Sequence, residues 1–224
     1  MMVLWFIFQV GFRQRPVDNV PFILWFAAGY IPWMFISDTI TSSTGCLMEY
    51  NYLVKKIQFR VDILPILKVL SFGIIHIAFI VFLGFLFIVY RHPFNIYWIQ
   101  LLYYMFCMFC FIIGLSFLCS ALAVFLKDIA QIIALLLQLL FWISPVVWAP
   151  ENMVNSYLPI LKLNPFYYVI QGYRNSVLYS IGFWENEWMM VYFWVITTLL
   201  LFGAVALFKR LKPHFFEISC IFES

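Results

Sequence analysis

The stretch Val69–Tyr90, VLSFGIIHIAFIVFLGFLFIVY, decides the fold, because it contains no Asp, Glu, Lys or Arg. It exceeds the roughly 20 apolar residues that an α-helix needs to cross a bilayer. Working outward, His92–Leu126, Ile129–Pro150 and Trp188–Phe208 are equally free of charge, and Asn19–Met48 is interrupted only by Asp38. These are five spans. With Met1–Phe12 read as part of another, the expected fold is an all-α polytopic membrane bundle of about six spans, the first incomplete. Met1–Phe12 has neither the basic start nor the small-residue cleavage site of a signal peptide.

Composition agrees: 66% of the 224 residues are hydrophobic and 10% charged, more apolar surface than a water-soluble domain can hide. A net charge of +3, from basic residues scattered along the chain, gives no footprint for nucleic acid. Cys107 and Cys110 have CxxC spacing but lie in an apolar span without a nearby His, so they read as packing residues, not a metal or redox site.

The chain reads as one membrane domain, 1–224, with short connections. Placing 49–65 with the neighbouring Lys68, Lys127 and the tail 209–224 in the cytoplasm puts eight basic residues inside and five outside, the expected bias. Trp25, Trp98, Trp148 and Trp188 then fall near outer span ends, where an indole buries its ring and wets its N–H.

Two segments are not simple spans. In 49–65, EYNYLVKKIQFRVDILP, the apolar residues Leu53, Val54, Ile57 and Phe59 recur at helical spacing among charges, the pattern of a helix lying on the cytoplasmic surface. In 144–179, Ser144-Pro145 breaks the preceding span, Ala149-Pro150 and Leu158-Pro159 oppose regular helix, and Asn164-Pro165 opens a new apolar stretch. That stretch is too short to cross, so 150–180 is expected to be a re-entrant helical hairpin before the last span.

No catalytic constellation is present. His76, His92 and His214 fall on different elements, no acid pair shares a helix face inside a span, and no GxxxxGK[ST] loop exists to hold ATP phosphates. The chain therefore reads as a non-enzyme. Asp38 is the sharpest single residue, because a carboxylate within a span faces a polar path, or is satisfied by Ser37, Thr41, Ser42 or a neighbouring hydroxyl. His76 reads as a hydrogen-bonded packing residue. Aromatic residues make up 22% of the chain, and sugars stack on aromatic faces, so Tyr30, Trp33 and Phe35 are candidates to line a saccharide path. Arg174, beside Tyr173, either meets a phosphate or snorkels to the interface.

The runs FWISPVVWAPENM, LKLNPFYYVIQGYRNSVL and FKRLKPHFFE, with VPFILWFAAGYIPWMFISDTI and NYLVKKIQFRVDILP before them, resemble type-2 ABC exporter permeases of the polysaccharide export family. Ser144-Pro145, Asn164-Pro165-Phe166 and Gly172-Tyr173-Arg174 are its most specific parts. The resemblance implies a homodimer in the bacterial plasma membrane, with its C-terminus in the cytoplasm. It also implies a separate ABC ATP-binding subunit that holds ATP and Mg, the permease itself having no cofactor, and a lipid-linked polysaccharide substrate such as O-antigen, capsule or teichoic acid. Carried onto this chain, the coupling helix comprises Glu49, Lys55, Lys56, Phe59 and Arg60, and the substrate path Tyr30, Trp33, Phe35, Asp38, Tyr173 and Arg174. The family begins with an amphipathic surface helix and a complete first span, of which Met1–Phe12 corresponds to a part. Rival readings are an exporter for a drug or small lipid and a membrane-embedded glycosyl- or acyltransferase.

Overall fold

A computed structural model describes residues 20–50, 61–126, 128–149 and 158–215. Among the described residues four helices are long and apolar enough to cross a membrane: Phe22–Thr44 (α1), Ile63–Val89 (α3), Ile96–Phe125 and Phe183–Leu211. The third comprises a 3-10 turn, Ile96–Ile99, running into α4, Gln100–Phe125; the fourth comprises a 3-10 turn, Phe183–Asn186, running into α8, Glu187–Leu211. Shorter helices are α2 (Cys46–Glu49), α5 (Ile129–Ile143), α6 (Leu158–Lys162) and α7 (Pro165–Arg174), the last followed by a π-turn, Asn175–Tyr179. The chain is an all-α, polytopic membrane protein.

The element limits follow local chemistry. α3 starts six residues before the charge-free run, since Pro65 sits in the first turn, where its missing N–H has no partner to lose. It ends in a Schellman motif: His92 N–H donates to Phe87 O at 3.0 Å, Arg91 N–H to Ile88 O at 3.1 Å, and Arg91 takes the left-handed φ of 52°. Pro32 lies inside α1, an interior position that membrane helices accommodate better than soluble ones. α5 has 15 residues, about 22 Å of helix, and stops at Ile143 where Ser144-Pro145 interrupts the ladder. Leu158-Pro159, expected to oppose helix, instead opens α6, again with proline in the first turn. The partial span 1–12, residues 51–60 of the surface helix, Lys127, 150–157 of the hairpin and 216–224 of the tail lie outside the described residues. Of the ends of 49–65, Glu49 closes α2 and Ile63, Leu64 and Pro65 open α3.

The chain forms two compact units. One draws on the chain up to Met34, His76–Met105 and Phe141–Val191; it holds the first half of α1, α6, α7 and the π-turn. Its core is aromatic, with Phe22, Trp25 and Phe26 of α1 and Phe166, Tyr167, Tyr168 and Tyr173 of α7 all buried. The other draws on Phe35–Ile75, Phe106–Leu140 and the chain from Tyr192 onward. Its core gathers Cys46, Leu47, Val61, Leu64, Phe117, Ala121, Val124, Ala204, Phe208 and Phe215. In lipid such clusters gain by close packing more than by exclusion of water, so ring geometry matters: Phe208 meets Phe117 and Phe215 edge-on at 5.0 and 5.4 Å.

Candidate functional site

In the first unit the three proline- and glycine-marked motifs converge. Asn164 caps α7, its Oδ1 accepting from Phe166 N–H at 3.0 Å, with Pro165 at the first helical position. The same amide donates from Nδ2 to Ser144 Oγ at 2.9 Å, joining the cap to the break after α5. From the other end of α7, Arg174 donates Nη1 to Pro145 O and Nη2 to Val146 O, the latter at 2.8 Å, and Nε to Trp25 O at 3.3 Å. Its guanidinium carbon lies 3.5 Å from the Trp25 ring centroid. Carbonyl dipoles and a π-face thus replace water around a fully buried cation.

The approach is close enough to demand glycine twice. A Cβ on Gly29 would overlap the Arg174 guanidinium, and one on Gly172 would overlap the Tyr104 ring. Tyr173 Oη is 2.8 Å from His76 Nε2, so His76 is the hydrogen-bonded packing residue expected of it.

This geometry changes the setting of several expected path residues. Arg174 neither snorkels nor presents its donors to a ligand, and Tyr173 is equally buried, because the carbonyls of Pro145 and Val146, past the end of α5, engage the one and His76 engages the other. Trp25, expected at a wet interface, is 1% exposed beneath the Arg174 cation. Trp33 packs edge-on against Phe166 at 5.8 Å, and Tyr30 stacks on Phe26 at 5.1 Å. Phe35, in the second unit, packs on Phe109 at 5.1 Å. Within one chain Trp33 and Phe35 are buried and Tyr30 is half-buried, each packed ring against ring.

Asp38 behaves otherwise. It and Thr41 are the exposed residues of α1, one helical turn apart, and among the described residues Asp38 forms no hydrogen bond or ion pair. Most exposed residues in the middle of α3 and α8 are apolar, Ile74 at 72% and Phe202 at 75% among them, although Ser71 and Thr198 are exposed as well.

The second unit also holds both flanks of 51–60. Glu49 Oε2 accepts from Lys68 Nζ at 2.8 Å, and that ammonium lies 5.2 Å from the Tyr50 ring centroid. Beyond the segment, both Asp62 oxygens accept from Lys212 Nζ, at 3.0 and 2.9 Å. Cys46, the first residue of α2, is fully buried, and burial pushes its thiol up to about 12, with the Lys68 charge offsetting only part of that rise. Lys55, Lys56, Phe59 and Arg60 lie outside the described residues. Asp62 escaped sequence reasoning, since its partner is 150 residues away and no local spacing links them. Among the described residues no group of three or more His, Cys, Asp or Glu could hold a metal ion.

A profile described as ABC-2 type transporter matches residues 1–178. The O-antigen export system permease protein RfbA of Klebsiella pneumoniae is 25% identical over 227 residues, covering 97% of this chain and 82% of its own length. The protein of that name from Myxococcus xanthus is 22% identical over 224 residues, with the same coverage.

Proposed function

The chain belongs to the ABC-2 type transporter family, and from that premise we propose that it is the membrane-spanning permease subunit of an exporter for a lipid-linked polysaccharide. O-antigen is the substrate class that the relatives' names favour, with capsule or teichoic acid as chemically similar cargo. ATP and its Mg are held by a separate ABC ATP-binding subunit, and two copies of the permease frame the path in the plasma membrane. Residues 49–65 and the C-terminal tail face the cytoplasm, and 150–180 is the re-entrant hairpin.

One observation carries the reading: α1 turns Asp38 and Thr41 outward in the last two turns of a membrane span. A carboxylate facing hydrocarbon costs about 2.5–3.5 kcal/mol at the centre of a span and less towards its end, which favours a face at Asp38 that borders water or polar solute. A hydroxyl-rich polymer needs such a path. Binding and closure of the ATPase pair drive 51–60, whose flanks are anchored on α3 and on the end of α8.

The test is to extract the tagged chain in mild detergent, identify co-purifying proteins by mass spectrometry, and assay vesicles for ATP-dependent uptake of radiolabelled lipid-linked polysaccharide. Near-equal recovery of an ABC ATPase together with uptake is expected. A folded preparation without the ATPase overturns the reading. Uptake of a drug or small lipid in place of polymer reassigns the cargo, and turnover of a sugar or acyl acceptor without ATPase makes the chain a transferase.

A further inference from the structure

Of the 15 residues of α5 only Leu137 is buried. At about 3.6 residues per turn the exposed ones fall on two different sides of the helix. One side carries Ile132, Leu136, Leu139 and Ile143; the other carries Gln131, Ala134 and Gln138. Phe141, three residues after Gln138, stands on the glutamine side and packs on Trp33 and Tyr30 of α1, with ring centroids at 5.8 and 6.3 Å. There α5 turns that side towards α1. Thr41 follows Tyr30 by about three turns, so it lies on the face of α1 that meets Phe141, and Asp38 is its neighbour one turn back. Asp38, Thr41, Gln131 and Gln138 all belong to the second unit, and all four are exposed.

We infer that the glutamine side of α5 is a second wall of the path bordered by Asp38 and Thr41, and that Gln131 and Gln138 bond hydroxyls of the sugar chain, not the diphosphate of its carrier. This rests on the permease reading above. Neither amide forms a hydrogen bond among the described residues. A hydroxyl in a span can bond its own helix, as Ser71 Oγ does by donating to Leu67 O at 2.8 Å; these longer side chains make no such bond. An amide left open to hydrocarbon is costly, and Gln138 is the tenth residue of the fifteen in α5, well inside the helix, so water or a polar group has to meet it. Each amide offers a carbonyl acceptor and two N–H donors without charge, which suits a sugar hydroxyl both as donor and as acceptor. The choice of sugar over diphosphate follows from charge. α1 and α5 contain no Lys or Arg, and the Asp38 carboxylate repels a phosphate.

Gln131→Cys, Gln138→Cys and, on the other side of the helix, Leu136→Cys and Leu139→Cys are made in a chain whose own cysteines are changed to alanine, purified with the ATPase and reconstituted. A hydrophilic thiol reagent should label the first two and leave the other two unlabelled. Lipid-linked polysaccharide at about ten times its half-saturating concentration should slow labelling of the first two about tenfold, while sugar-free polyprenyl diphosphate at the same concentration leaves it within about twofold. Labelling that the polysaccharide does not slow, or that the sugar-free carrier slows as much, overturns the inference. So does absence of labelling at the two glutamine positions, and an oxidative cross-link between two Gln138→Cys chains would then assign that side to a second copy. If a cysteine variant extracts poorly, Gln131→Leu and Gln138→Leu replace it. The polysaccharide concentration for half-maximal export by assembled complex should then rise at least about threefold, and an unchanged concentration overturns the inference. A parent preparation without ATPase removes the permease reading and this inference together. A parent that exports normally beside unprotected cysteines removes the inference alone.

Discussion

Arg174 lays its guanidinium 3.5 Å from the centre of the Trp25 ring and donates Nε to the carbonyl of that same residue at 3.3 Å, so one tryptophan supplies both a π-face and a lone pair to a buried cation. Because the remaining donors hold the carbonyls of Pro145 and Val146, the shape of the guanidinium matters as much as its charge.

Arg174→Lys keeps the charge and loses the fork. A lysine ammonium cannot reach all three carbonyls while stacking, which leaves one or two buried acceptors unfilled at about 1–3 kcal/mol each. The variant should unfold in detergent at clearly lower temperature than the parent. An unchanged midpoint would show that the charge alone suffices.

Gly29→Ala should destabilise the parent by about 1–3 kcal/mol, since the new methyl overlaps the guanidinium and a packed cation has nowhere to move. In an Arg174→Ala background the clash is gone, and the same substitution should be neutral or stabilising by up to about 1 kcal/mol through helix propensity. A double-mutant cycle of thermal midpoints reads the reversal; equal effects in both backgrounds would sink the explanation.

Asn164→Ala removes an N-cap and a side-chain link together and should cost about 1–2 kcal/mol, whereas Ser144→Ala loses only the link, at about 1 kcal/mol. The double variant should cost less than the sum by about 0.5–1 kcal/mol, as partners in one contact do. Strict additivity in denaturant titrations would deny the contact.

The Cys46 thiol should be inert in the folded protein. With its pKa pushed up to about 12, the thiolate fraction at pH 8 is on the order of one in ten thousand, and the sulfur is also buried. Raising the pH towards 12 increases that fraction. In a variant with the other cysteines changed to alanine, maleimide should label Cys46 quickly in dodecyl sulfate and very slowly in mild detergent. Rapid native labelling at pH 8 would place this sulfur at the surface.

Asp38→Cys and Thr41→Cys should react in intact membranes with a hydrophilic thiol reagent, while Ile74→Cys and Val81→Cys, on the apolar face of α3, should not. A tenfold or greater difference in rate, about 1.4 kcal/mol in accessibility, is expected. Equal protection of all four would place α1 against lipid and remove the path.

The sequence by itself determined what depends on neighbours along the chain. Charge-free runs longer than a bilayer gave the long helices, Ser144-Pro145 ended α5 because proline lacks the N–H that the ladder needs, and Asn164-Pro165 began α7 as cap and first residue. It also marked Asp38 as the one charge within the run Asn19–Met48. Only the tertiary structure decided which motifs meet. Ser144 finds Asn164, Arg174 reaches back 149 residues to Trp25, and Asp62 pairs with Lys212. The burial of Arg174, Tyr173 and Trp25 was hidden for the same reason. The long helices are apolar nearly all round, so no amphipathic stripe on α1 records which face turns inward. The rotation of each helix is set by ring packing and by the hydrogen bonds that the proline breaks leave to be filled.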